Sequence, residues 1–140
     1  MSIALLGLGS NLGEREDFLR RAVTELRSRV GIVLQQSELY YSMPVGFNSC
    51  NYFVNQVIAI ATVLDPYQLL HATQDIERRM GRTLKSHDGI HYDRTIDIDL
   101  LRIFCEAREL RLNTSELILP HPRISERPFV LLPMCEILTH

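Results

Sequence analysis

Apolar residues recur along the chain with two different periods, and the switches between them predict strand, helix, strand, strand, helix, strand and then an irregular end. The first run, Ile3 to Leu8, is short and closed by Gly9-Ser-Asn-Leu-Gly13, the pattern of a strand followed by a tight turn. Phe18, Ala22, Leu26 and Val30 then repeat at helical spacing, with Leu19 and Val23 beside them. Glu14, Arg15, Arg21 and Arg27 fall on the water-facing side of that helix, and Gly31 ends it. Ile32 to Tyr41 and Tyr52 to Thr62 read as two strands joined by the loop 42–51, which is too long for a tight hairpin and suits a binding lip. Asp65 opens a second helix with Pro66 in its first turn and Gln68 at the capping-box position, and Leu69, Thr73, Ile76 and Met80 carry it to Gly81. Residues 82–94 are polar and aperiodic, which predicts a mobile loop leading into a strand that bears Asp97 and Asp99. Beyond Arg108, two proline-punctuated turns and a short helix over Phe129 to Ile137 complete the pattern. The order βαββαβ is that of an α+β, ferredoxin-like sandwich, an antiparallel sheet with helices packed on one face.

Composition narrows the functional classes. A chain of 140 residues with 46% hydrophobic content buries one core, and neither a repeat nor a domain boundary interrupts it, so residues 1–140 are expected to form a single domain. Fifteen Lys and Arg against 17 Asp and Glu give a formal charge of −2, too little basic field for a nucleic-acid duplex or an anionic membrane. The first 13 residues lack the basic region of a signal peptide, and no apolar stretch is long enough to span a bilayer. A cytoplasmic protein without membrane or nucleic-acid partners, and with no obligate protein partner, is therefore expected. Cys50, Cys105 and Cys135 are odd in number and widely spaced, as expected of reduced thiols.

Three groups of residues carry candidate chemistry. If Ile96, Ile98 and Leu100 line one face of their strand, Asp97 and Asp99 lie on the other with Leu101 and Ile103. Residues two apart on a strand are about 6.5–7 Å apart at the backbone, so the two anions repel unless a cation or several donors lie between them. Hard carboxylate oxygens suit Mg²⁺, although the same spacing also describes an ordinary solvated strand face. Arg82, Lys85, Arg94, His121, Arg123 and Arg127 form the second group, suited to polyphosphate oxygens or to simple surface charge. In the third, Phe53 and Asn55 share a strand face, where a ring could support a planar heterocycle and an amide read its edge. A core Phe and a backbone-satisfying Asn fit the same pattern.

The motifs taken together resemble the 6-hydroxymethyl-7,8-dihydropterin pyrophosphokinase family of folate biosynthesis. The resemblance rests on Leu8-Gly-Ser-Asn-Leu-Gly13, Tyr40-Tyr-Ser-Met-Pro-Val-Gly46, Asn51-Tyr-Phe-Val-Asn55, Gln74-Asp-Ile-Glu-Arg78 with Gly81-Arg82, Arg94-Thr-Ile-Asp-Ile-Asp-Leu-Leu101, Leu119-Pro-His-Pro-Arg123 and Arg127-Pro-Phe129. It implies that ATP and 6-hydroxymethyl-7,8-dihydropterin bind side by side and that the pterin hydroxyl attacks the β-phosphorus, releasing AMP. It implies two Mg²⁺ ions held by Asp97 and Asp99, and stabilisation of the transferring group by Arg82 and Arg94. ATP contacts would come from Gln74, Glu77, Arg82, Arg94, His121 and Arg127. The pterin would lie between Phe53 and Phe129, read by Asn55, with backbone groups near Ser42 and Val45 completing the pocket. This chain departs from the family in carrying Leu84 where a second Arg is common, and Gly89-Ile-His-Tyr-Asp93 where an aromatic followed by Gly-Pro is common. Two rival classes share parts of the pattern. A polymerase-palm-like nucleotidyltransferase would need a third acid and a basic track, and a ligand-binding regulatory domain would have no use for paired aspartates facing a basic loop.

Overall fold

The structure of the protein, a computed structural model, describes residues 1–42, 52–81 and 96–138. Its central strand is β1 (Ser2–Ser10), whose alternation sends Ala4, Leu6 and Leu8 to one face and Leu5, Gly7 and Gly9 to the other. Helix α1 (Arg15–Arg29) follows, then β2 (Gly31–Gln36), β3 (Tyr40–Ser42), β4 (Phe53–Thr62), α2 (Pro66–Arg79) and β5 (Asp97–Cys105). The sheet order is β2-β4-β1-β5, extended by the short β6 (Arg108–Glu109), with β3 also paired to β4 and every pairing antiparallel. This is the expected ferredoxin-like arrangement. A two-stranded ribbon, β7 (Leu112–Asn113) and β8 (Ile118–Leu119), and helix α3 (Pro128–Leu138) complete it.

Local chemistry accounts for the element ends. The Asp65 carboxylate accepts the Gln68 N–H at 2.9 Å and the Gln68 side chain accepts the Asp65 N–H at 3.0 Å, so the capping box read in the sequence starts α2. Gly31 not only ends α1 but begins β2, where a Cβ would stand 1.9 Å from the Ala61 carbonyl oxygen. Leu19, Ala22, Val23 and Leu26 of α1 and Leu69 and Ile76 of α2 pack on the even-numbered side chains of β1 and β4, forming the larger core. No helix among the described residues is long and apolar enough to cross a membrane. Cys105 and Cys135 are free thiols, and Cys50 lies outside the described residues.

The structure corrects three expectations. The predicted strand Ile32 to Tyr41 is two strands, because Ser37 interrupts the ladder: its N–H donates to the Val57 carbonyl, but its hydroxyl oxygen takes the Val57 N–H. The helices do not share one face. Val130, Met134 and Ile137 of α3 pack on Leu5, Val57, Ala59 and Leu101, opposite α1 and α2. Ile103 does not lie with the aspartates either. Leu5 pairs with Arg102 and Leu6 with Leu100, leaving Leu101 as a bulge residue, and the alternation inverts beyond it, so Ile103 joins Ile96, Ile98 and Leu100 in the larger core.

Candidate active site on the α3 face of the sheet

Along the face where α3 packs, a row of residues crosses four strands: Tyr40 on β3 pairs with Asn55 on β4, Asn55 with Gly9 on β1, and Gly9 with Asp97 on β5. The next row runs from Val57 to Gly7 to Asp99. Adjacent strands are about 4.8 Å apart, which separates the Asn55 and Asp97 backbones by about 10 Å, the span of a bicyclic ring with a substituent. Between them β1 presents only glycine. A Cβ on Gly9 would meet Asn55 Oδ1 at 3.1 Å and the Phe53 ring at 3.5 Å, and one on Gly7 would touch the Leu101 side chain at 3.4 Å. The glycines thus make a floor over which Phe53 and Asn55 lean from one side while the two half-buried aspartates flank it from the other.

The Asn55 carboxamide is oriented by β3. Its Nδ2 donates to Ser42 Oγ at 2.9 Å and to the Tyr40 carbonyl at 3.4 Å, which leaves Oδ1 over Gly9 as an acceptor. Phe129, in the first turn of α3, packs against the smaller core on this same face. Ser42, Phe53, Asn55, Asp97, Asp99 and Phe129, dispersed in sequence, therefore belong to one surface.

A second set of side chains borders β5. Glu77 of α2 is almost wholly buried, at 1% exposure, and its Oε2 accepts the N–H of Ile98, the residue between the two aspartates, at 2.7 Å. It anchors the backbone of the aspartate strand rather than presenting an open carboxylate to a nucleotide, whereas Gln74, one turn earlier, is half-buried. On the far side the His121 N–H donates to the Leu101 carbonyl at 2.8 Å. His121 Nδ1 accepts the Arg123 N–H at 3.2 Å, which puts the proton of the neutral ring on Nε2. Burial, and then the Arg127 charge, hold the imidazole below its ordinary pKa against the opposing pull of Asp97, so the ring is a neutral donor at pH 7. Val45, Arg82 and Arg94, together with the loops that carry them, lie outside the described residues.

The donor set fits Mg²⁺. Among the described residues no three His, Cys, Asp or Glu side chains cluster as a metal site. Two carboxylates beside a glycine floor that a Cβ would fill match a cation that takes its remaining oxygens from phosphate and water.

Two features escaped the sequence reading. Gly7 and Gly9 sit two apart in an apolar strand, a period-2 signal that places both on one face. Arg15, read as solvent-facing, donates from Nε to the Tyr52 carbonyl at 3.0 Å and lies 4.1 Å from that ring's centre, while Tyr41 donates to the neighbouring Glu16 at 3.2 Å. The first turn of α1 thereby holds Tyr41 of β3 and Tyr52 beside β4, a contact between distant segments that no local pattern announces.

Known proteins resemble this chain over nearly its whole length. The sequence profile of the family described as 7,8-dihydro-6-hydroxymethylpterin-pyrophosphokinase (HPPK) matches residues 5–139. A 2-amino-4-hydroxy-6-hydroxymethyldihydropteridine pyrophosphokinase of Porphyromonas gingivalis is 43% identical over 137 residues, covering 98% of this chain and 91% of its own. One of the same description from Bacillus subtilis is 42% identical, covering 97% and 78%. Among solved structures, an HPPK-DHPS in complex with substrates superposes with a TM-score of 0.71 at 17% identity, over 98% of this chain and 40% of that one, a likeness of fold.

Proposed function

The chain belongs to the 7,8-dihydro-6-hydroxymethylpterin-pyrophosphokinase family, and we propose that it works as a single cytoplasmic domain that seats the pterin and ATP side by side on the glycine-floored face of its sheet. The activity is pyrophosphoryl transfer to 6-hydroxymethyl-7,8-dihydropterin in folate biosynthesis. The observation that supports this seating best is the row Tyr40, Asn55, Gly9, Asp97, in which an edge-reading amide and a metal-type carboxylate lie on either side of a β1 position with no side chain.

In this reading Phe53 and Phe129 stack on the pterin, and Asn55 Oδ1 accepts from the ring's N–H edge, with Ser42 and Val45 completing the pocket. The pterin hydroxymethyl group, extending over Gly9 toward β5, attacks the β-phosphorus of ATP. A new bond forms between that oxygen and the β-phosphorus, the bond from the β-phosphorus to the α,β-bridging oxygen breaks, AMP leaves, and the hydroxyl proton passes to solvent. Asp97 and Asp99 would hold two Mg²⁺ ions, which when bound supply Lewis-acid neutralisation of the phosphate charge. His121 donates from Nε2 to a phosphate oxygen, and Arg127 adds a fixed cation beside it. Gln74 lies toward the nucleoside, and Glu77 acts through the Ile98 backbone. Arg82 and Arg94 complete the anion cage as the motifs imply.

The test is product identity. With MgATP and 6-hydroxymethyl-7,8-dihydropterin, AMP should appear one for one with pterin diphosphate. ADP as the adenine product would overturn the pyrophosphoryl mechanism and make the protein an ordinary kinase.

A further inference from the structure

Strand β3 is only three residues long, yet both acceptors that orient the Asn55 amide, Ser42 Oγ and the Tyr40 carbonyl, lie on it. So short a strand, separated from β2 by Ser37 to Leu39, has little ladder of its own to hold its position. The missing support comes from across the molecule. Glu136, in the last turn of α3, accepts the Glu38 N–H on Oε2 at 2.9 Å and the Tyr40 hydroxyl on Oε1 at 3.0 Å. One carboxylate thus bridges the break in the strand and grips the first residue of β3. The same hydrogen bond to Glu136, followed by burial, raises the Tyr40 pKa, so the phenol stays protonated and remains the donor.

Phe129 stands seven residues before Glu136 on α3, and that spacing puts both on one side of the helix, about 10 Å apart along its axis. Helix α3 therefore carries a wall of the proposed pterin pocket at one end and the anchor of the Asn55 acceptors at the other. We infer that Glu136 is a positioning residue for the pterin, acting through Tyr40 to hold Asn55 Oδ1 over Gly9, so that α3 sets both the stacking wall and the edge-reading amide. This rests on the assignment of that face to the pterin. Glu136 itself touches no substrate.

The test is a set of equilibrium titrations of Glu136→Ala, Glu136→Gln and Tyr40→Phe with 6-hydroxymethyl-7,8-dihydropterin and, separately, with a non-hydrolysable MgATP analogue. Glu136→Ala should weaken pterin binding about tenfold, roughly the worth of one hydrogen bond to a charged group, because only part of the lost anchoring is felt at Asn55. The nucleotide dissociation constant should stay within about twofold, a split that general loss of stability would not give. Glu136→Gln, which keeps an acceptor oxygen, should recover part of the loss. Tyr40→Phe, which keeps the ring's packing, should weaken pterin binding alone and add little on top of Glu136→Ala. Pterin affinities of Glu136→Ala and Tyr40→Phe equal to wild type, or nucleotide affinity falling in parallel, would overturn the inference. The wild-type titration separates the two levels: a wild type that binds no pterin overturns the site assignment and this inference with it, whereas a binding wild type with indifferent variants overturns this inference alone.

Discussion

At the scale of single residues, the site is defined as much by what is absent as by what is present. Gly7 and Gly9 carry no Cβ, and the amide and ring of β4 and the carboxylates of β5 face each other over the gap. Asp97 and Asp99 share this surface and are the two carboxylates proposed to hold Mg²⁺. Asp97→Asn and Asp99→Asn keep side-chain volume and one oxygen acceptor, so both variants should fold. A ligand that binds only the native state stabilises it by RT ln(1 + L/Kd), where L is the free ligand concentration, and so raises its melting temperature. MgATP should therefore raise the melting temperature of wild type and lose most of that effect in either variant, while melts in chelator remain close to wild type. Either variant keeping the full Mg²⁺-dependent shift would overturn the metal assignment. Glu77 makes the complementary point. The resemblance implies it as a nucleotide contact, and its buried carboxylate accepts the N–H of Ile98, the residue between the two aspartates.

Elements meet their neighbours through a few close approaches. Helix α2 is delimited by its own chemistry, with Asp65 and Gln68 at the start and Gly81, at φ +97°, just beyond the end. The passage from α1 to β2 is different, because Gly31 is required there by another strand. A Cβ at that position would penetrate the Ala61 carbonyl, so β2 could pair with β4 in its observed register only after a backbone shift. Gly31→Ala should destabilise the fold by about 2–3 kcal/mol or more, as overpacking against backbone does. Denaturant melts would measure it, and a wild-type midpoint would show that β2 has slack that the geometry does not suggest. The β5–β6 hairpin also depends on close geometry. Glu106 and Ala107 both adopt positive φ in its two-residue turn, and Arg102 clasps Glu109 with two hydrogen bonds of 2.9 and 2.7 Å across it.

For the molecule as a whole, the sheet is covered on one side by α1 and α2 and on the other by α3, and the two sides are tied differently. Helix α3 adheres through apolar packing and through Glu136. Helices α1 and α2 share the larger core, and Arg29 of α1 pairs with Asp75 of α2, which Arg78 and Arg79 also approach. The hydrogen bond from Arg29 is the main cause that holds the Asp75 pKa below its ordinary 3.8, against the opposing effect of burial. A carboxylate whose native pKa is depressed adds stability that is fully present above its unfolded pKa and is lost as pH falls through the lower native value. The stability difference between wild type and Asp75→Asn should therefore be constant from about pH 7 down to about pH 5 and shrink below about pH 4. Because Asp75 is one-third exposed, the effect should also weaken in high salt. Melts at pH 6 and pH 3 with and without added salt test this, and a difference that grows on acidification would contradict the linkage.

The sequence by itself determined what short-range physics can carry. Helical spacing and the capping box located α2, period 2 placed Phe53 with Asn55 and Asp97 with Asp99, and the run of strands and helices required an antiparallel sheet in ferredoxin-like order. Hidden from that reading was everything set by contacts between distant segments. The hairpin after β5 went unseen because Glu106 and Ala107 carry no turn signature of their own, and their positive φ is imposed by strand pairing and the Arg102–Glu109 clasp. The bulge at Leu101, which turns Ile103 inward, exists only in the register between β5 and β1. The apolar stripe of α3 announced a buried face but not which face of the sheet would bury it, and its choice of Leu5, Val57, Ala59 and Leu101 left the glycines, Asn55 and the aspartates along the same surface. Each of those residues was visible in the sequence. That they lie in two adjacent rows of one face followed from β1 pairing with β4 on one edge and β5 on the other, a decision made by hydrogen-bond register across strands far apart in the chain, to which no local propensity is sensitive.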